Sequence, residues 1–195
     1  MTLILAMASF ALSMSISPGP VNIITLSSGA RLGVFRTLPF VTGATTGFTL
    51  MLFIIGLGAG SLIEQFPALV KFIGYGGAAF ILYMAFKIIT ASPIIDMDQA
   101  QSSGFTHGAI LQFMNPKAWI ACISGGAAFV TTGDIQTLVQ FCLIYYVVCF
   151  GSVFSWALIG VGARRLVQNQ NHMQLFNVIT GGLLALVAIY LFVTS

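Results

Sequence analysis

The sequence predicts an all-α integral membrane protein: six transmembrane helices, arranged as two inverted three-helix repeats whose first and fourth helices are broken. Three observations predict it. Of 195 residues, 58% are hydrophobic and 6% charged, seven Lys or Arg against four Asp or Glu, whereas soluble domains carry roughly a quarter charged residues. The apolar residues form runs long enough for spans of about 20 residues. Two of those runs are interrupted at mid-length, by Ser17-Pro18-Gly19-Pro20 and by Asn115-Pro116-Lys117. Proline removes a backbone N–H and breaks the helix, which is costly in lipid unless the break lines a cavity or is buried in protein.

The first span runs from about Leu3 to Ala30, interrupted at Pro18–Pro20. It does not read as a cleavable signal, since no Lys or Arg precedes Leu3 and the apolar stretch is too long for an h-region. The second runs from about Leu38 to Ile63 and the third from about Ala68 to Thr90. The polar stretch Thr90–His107 then divides a single domain, residues 1–195, into halves of about 1–90 and 104–195. The fourth span, about Phe105 to Thr131, is interrupted at Asn115–Lys117. The fifth covers about Ile135–Gly162 and the sixth about Met173–Val193. Three spans per half give the halves opposite orientation, so the two breaks approach each other from opposite faces of the membrane. Paired interruptions of this kind point to a transport site.

Orientation follows from the loops. Arg31, Arg36, Lys87, Arg164 and Arg165 follow the first, third and fifth spans, against Lys71 alone on the opposite side. Those loops are therefore read as cytoplasmic and both termini as outside. The net charge of +3 is small and scattered, which excludes nucleic-acid binding. Cys122, Cys142 and Cys149 all fall in apolar segments and read as small buried hydrophobes. Asp96 and Asp98 with His107 read as a solvated loop, and neither metal nor cofactor is expected.

The candidate substrate-binding residues are Pro18, Gly19, Pro20, Asn22, Thr46, Asn115, Pro116 and Lys117. Pro18 and Pro20 free the carbonyls near Met14 and Ile16. Gly19 allows close backbone approach. The half-helix beginning near Val21 offers free N–H groups and the positive end of a dipole to a carboxylate. Asn22 supplies a donor and an acceptor. The plain alternative is a proline kink satisfied by Ser13, Ser15 or Ser17. Lys117 lies about twelve residues into its helix, roughly 18 Å at 1.5 Å per residue, near mid-membrane, where an ionisable group reads as functional. Its alternative is snorkelling to the cytoplasmic interface. Gly43 and Gly47 form a G-x-x-x-G with Thr46 on an adjoining stripe. Close helix packing is the stronger reading there, with Thr46 facing a pathway as the functional one. Tyr145, Tyr146 and Trp156 either line a cavity or pack between helices.

These residues carry a resemblance. Ser17-Pro18-Gly19-Pro20 with Asn22, Asn115-Pro116-Lys117-Ala118, and the run from Gly74 to Lys87 are similar to the LysE/RhtB family of bacterial amino-acid exporters, over essentially the whole chain. Within it the chain looks most like the branch that exports cysteine and O-acetylserine. The resemblance implies six helices in the bacterial inner membrane and efflux from the cytoplasm, driven by the proton gradient. In the branch exporting lysine and arginine, acidic residues stand at the positions matched to Thr46 and Ala121. Both are uncharged here, so a small neutral amino acid or derivative is the expected substrate, the lipid bilayer the other partner. Its carboxylate is expected at the half-helix after Pro20, at Lys117, or at both. Its ammonium is expected at the carbonyls freed by the prolines, and alternating access by rocking of one half on the other. An intramembrane enzyme needs a catalytic dyad or metal ligands within the spans, and no such set is visible. A scaffold subunit accounts for the glycines but not for two paired breaks.

Overall fold

A computed structural model describes residues 2–59, 75, 79, 82, 83, 85, 86, 88–90, 104–131, 133–163 and 170–194. Among these residues every regular element is helical. The apolar run α1 (Thr2–Ile16) stops where Pro18 removes an N–H. Gly19 is fully extended, and α2 (Pro20–Leu32) restarts with a proline at its first position, where the missing N–H costs nothing. The two halves meet at a bend of 63°. Gly33, at φ +82°, turns the chain directly into α3 (Val34–Ile54), which continues as a π-helical turn over Ile55–Ala59.

The segment expected as the fourth span is interrupted as well. Helix α4 (Phe105–Phe113) ends before Asn115, which precedes a proline and is held extended at φ −100° and ψ 105°. Helix α5 (Pro116–Phe129) then begins with that proline. The unbroken α6 (Ile135–Ala163) and α7 (Gln170–Thr194) follow. Asp134 caps α6 by accepting from the Thr137 N–H at 3.0 Å. Hydrogen bonds from the Thr137 side chain and backbone hold the Asp134 carboxyl below the usual carboxylate range.

Among the described residues, Val34–Gly58 and Ile135–Ala163 are each long and apolar enough to cross a membrane unbroken, and α1 with α2 adds a third if counted as one span. The expected third span lies mostly outside the described residues, although Tyr75, Ala79, Leu82, Tyr83, Ala85, Phe86, Ile88 and Ile89 are helical. Also outside them are the Gly74, Gly76 and Gly77 stripe, Asp96 and Asp98, and every loop charge used for orientation except Arg31 and Arg36.

The distribution of side chains is that of a membrane protein. Val147, Leu143 and Ile120 present 71, 64 and 61% of their surface outward, while Asn22, Gln112, Asn115 and Thr45 are buried. Such an apolar exterior, with these polar side chains held inside an otherwise apolar core, suits lipid, not water. All three cysteines are free and buried.

The closest packing crosses between the two sequence halves. A Cβ on Gly43 or Gly47 would collide with the backbone of Phe105 or Ala109, and one on Gly108 with the backbone of Phe40 and Ala44. The G-x-x-x-G is therefore a packing surface between α3 and α4. Gly29 lies against the Ala157 backbone and Gly160 against that of Leu26 and Ala30, locking α2 to α6 in the same way. This interleaving disfavours the expected rocking of one half on the other. Such a motion would have to part helices that touch backbone to backbone.

Candidate functional site

The two breaks meet in the interior. In a continuous helix Pro18 and Pro20 would donate to the carbonyls of Met14 and Ile16, as the positions predict. Neither carbonyl is left open. The Ser17 hydroxyl donates to Met14 O at 3.3 Å, and the Trp156 indole Nε1 donates to Ile16 O at 3.1 Å. The Asn22 amide Nδ2 donates to Ser15 O at 2.8 Å and to Ser17 O at 2.9 Å. Asn22 therefore spends its donors inside the break, and its Oδ1 is what remains for a ligand. The substrate ammonium is not offered bare carbonyls at Met14 and Ile16.

Lys117 reaches across to the first break. Its Nζ donates to Ser17 O and to Ser17 Oγ, both at 2.8 Å, so the charge on the fourth span is fastened to the break of the first. Those bonds use two of the ammonium's three protons. The Lys117 stem and Nζ lie so near Gly19 that a Cβ there would be 3.4 Å from Cδ and 3.5 Å from Nζ.

The fourth-span break closes on itself. The Asn115 side chain accepts from the Lys117 backbone N–H at 3.2 Å, capping α5. The Asn115 N–H donates to Gln112 O at 3.1 Å. Trp119 Nε1 donates to Phe113 O at 2.8 Å. No side chain caps α2, whose N-terminal turn is thus the uncapped one of the two.

Between the breaks lies a cavity of about 40 Å³. Gly19, Val21 and Asn22 line it from the first break, and Gln112, Asn115 and Lys117 from the fourth. Phe48 and Tyr145 close one side, their rings stacked at 4.3 Å. Ser15, Ala121 and Cys149 also face it. Among the described residues Lys117 is the only formally charged side chain lining it. A cation beside an uncapped helix N-terminus in a low-dielectric interior favours an anionic group. Among the described residues no group of three or more His, Cys, Asp or Glu could hold a metal.

Residues 12–195 match the family model of the LysE type translocators. The chain belongs to this family. A cysteine/O-acetylserine efflux protein of Klebsiella pneumoniae is 30% identical over 167 residues, 85% of each chain. Proteins of the same description from Escherichia coli K12 and Shigella sonnei are each 29% identical over 194 residues, 98% of each chain. No solved structure matches. The resemblance read from the sequence is thus the family found, and the chain is a translocator, not an enzyme.

Four of the eight candidate residues of this LysE-type translocator line the cavity: Gly19, Asn22, Asn115 and Lys117. Pro18 and Pro20 shape the first break without being among the lining residues, and Pro116 opens α5 at the other break. Thr46 is half-buried and does not line the cavity, whereas Phe48 on the same helix does. Ser15, Gln112 and Cys149 line it without having been singled out as candidates. Gln112 had a sequence signal, a lone amide one turn before Asn115 in an apolar run. Ser15 had a weaker one, as a serine one turn before the first break.

Proposed function

We propose that this translocator exports small neutral amino acids or close derivatives, cysteine- and O-acetylserine-like, from the cytoplasm across the bacterial inner membrane. The observation that carries the reading is the cavity lining, which among the described residues holds one ammonium, one uncapped helix N-terminus and no carboxylate. The substrate carboxylate meets Lys117 and the first N–H groups of α2, as anions do at helix N-termini. Its ammonium meets Asn22 Oδ1. A basic side chain would enter a site with no counter-charge, since Ala121 lines the cavity where the lysine- and arginine-exporting branch carries an acid. The descriptions of the relatives support the same substrate class.

At about 40 Å³ the cavity is far below the roughly 300–1,000 Å³ of drug-sized sites. Transport therefore includes a step that widens it. A substrate carboxylate competing with Ser17 for the Lys117 ammonium supplies that step, because it releases the tie between the two breaks. The bodies that move are then α2 with α6 and α3 with α4. Among the described residues Lys117 is also the one amine positioned to carry a proton, which supports coupling to the proton gradient.

Six spans, with both termini outside, complete the proposal. Reporter fusions at Ser195 and within residues 96–104 are expected to report opposite faces of the membrane, and a cytoplasmic C-terminus would overturn the layout. The function itself is tested with purified protein in liposomes. Labelled cysteine and serine are expected to cross chemically unchanged, with excess arginine competing weakly. Arginine competing as well as cysteine would contradict the neutral-substrate reading.

A further inference from the structure

Across the cavity from Lys117 lies a second polar group. Hydroxyls inside these helices mostly donate back to the carbonyl one turn earlier: Ser13 to Ser9, Thr25 to Val21, Thr42 to Leu38, Thr49 to Thr45 and Ser124 to Ile120. Helical hydroxyls do so wherever no better partner exists. Ser15 and Thr45 do not. They are 8 and 0% exposed, and neither side-chain oxygen makes a hydrogen bond among the described residues. A buried hydroxyl without a partner is costly and uncommon in native structures.

These two hydroxyls converge on one place. Ser15, in the last turn of α1, lies beside the Tyr145 hydroxyl and the Cys149 thiol of α6, one helical turn apart. Thr45 approaches the same thiol from α3. Ser15, Tyr145 and Cys149 all line the cavity. The Tyr145 ring is held by its stack on Phe48 and by an edge contact with Phe141, so its hydroxyl has little freedom to turn away. The group is small, uncharged, and rich in both donors and acceptors.

We propose that Ser15, Tyr145 and Cys149 form the subsite that reads the substrate side chain, selecting a polar uncharged group on the β-carbon: a hydroxyl, a thiol or an ester. The proposal rests on the exporter reading above and adds the residues that set its selectivity. Lys117, α2 and Asn22 take the carboxylate and ammonium common to every amino acid. The link between the two ends is short, because Asn22 is bonded to the Ser15 carbonyl itself. A site whose buried polar groups are completed by the substrate rejects the analogue that leaves them unpaired, far more strongly than an apolar pocket rejects an extra methylene.

The test uses the full chain in liposomes and two nearly isosteric substrates, serine and 2-aminobutyrate, which differ by a hydroxyl against a methyl. The wild type is expected to favour serine by about tenfold or more in transport efficiency. Ser15→Ala is expected to bring that ratio close to one, and Tyr145→Phe to narrow it. Each ratio is read within a single preparation, so a lower yield of folded protein cancels. If Ser15→Ala yields no folded protein, Tyr145→Phe decides by the same ratio. Both variants keeping the wild-type ratio would overturn the subsite, and so would a wild type that moves both substrates equally. A wild type that moves neither serine, 2-aminobutyrate nor cysteine overturns the exporter reading itself, and the subsite with it.

Discussion

The two breaks look alike in sequence and are held in opposite ways. Around Asn115 every hydrogen bond that replaces the helix comes from within six residues: Asn115 caps Lys117, its N–H takes Gln112 O, and Trp119 takes Phe113 O. Around Pro18 and Pro20 the local donors Ser17 and Asn22 are joined by two from far along the chain, Lys117 at 100 residues and Trp156 at 140. The fourth-span break is a local structure that folds with its own helix. The first-span break combines local bonds from Ser17 and Asn22 with bonds from α5 and α6, and of the two breaks it is the one whose helix N-terminus has no side-chain cap. One break is therefore a rigid arm carrying a charge. The other is a receptor surface whose geometry follows whatever donor that arm offers.

This contrast can be broken at its strongest point first. Asn22→Leu removes both amide bonds of the first break, leaving the buried Ser15 carbonyl short of a donor while Ser17 O keeps Lys117 Nζ. A carbonyl left unsatisfied costs about 1–3 kcal/mol. The expected result is a large loss of thermal stability in detergent, together with loss of transport. Stability near that of the wild type would mean that the first break is not held by Asn22.

Asn115→Ala is the matching change at the fourth break. It removes an N-cap, for a loss of about 0.5–2 kcal/mol, and Asn115→Asp restores the acceptor and should recover most of that stability. If Asp gives no recovery, the break is not self-capped, and the contrast weakens. Trp156→Phe is the smallest change. It keeps an aromatic ring and deletes one donor at Ile16 O, for about 0.5–1.5 kcal/mol. A thermal shift no larger than replicate scatter would remove the fifth span from the account of the first break.

The places where the sequence was readable follow the same division. The positions of both breaks, the carbonyls that the prolines free, and the packing role of Gly43 and Gly47 are local consequences of residue type, and all are found as read. The Ser17 donor at Met14 O is local and among the serines the sequence offers for it, whereas the Trp156 donor at Ile16 O is not local. Nothing near residue 16 points to Trp156, since only the packing of α6 on α1 and α2 brings the indole there. Thr46 illustrates a different limit. One residue along a helix turns the side chain by about 100°, so the pattern of small residues located the stripe but not which neighbour faces inward. Ser15 and Cys149 carry no motif, and their role becomes visible only when their missing or shared partners are counted.

The central claim is that the charge on the rigid break serves the open one, with Lys117 acting on the substrate carboxylate through the same ammonium that binds Ser17. The most direct measurement is transport of labelled cysteine by Lys117→Met in liposomes, expressed per folded, inserted molecule. The variant retains an apolar stem and loses the charge. A charged hydrogen bond of about 1.5–3 kcal/mol corresponds to roughly ten- to more than a hundredfold in affinity, so insertion is expected to remain and transport to be nearly abolished. Transport at close to the wild-type rate per folded molecule would contradict the account. The carboxylate would then be left to the uncapped turn of α2 alone.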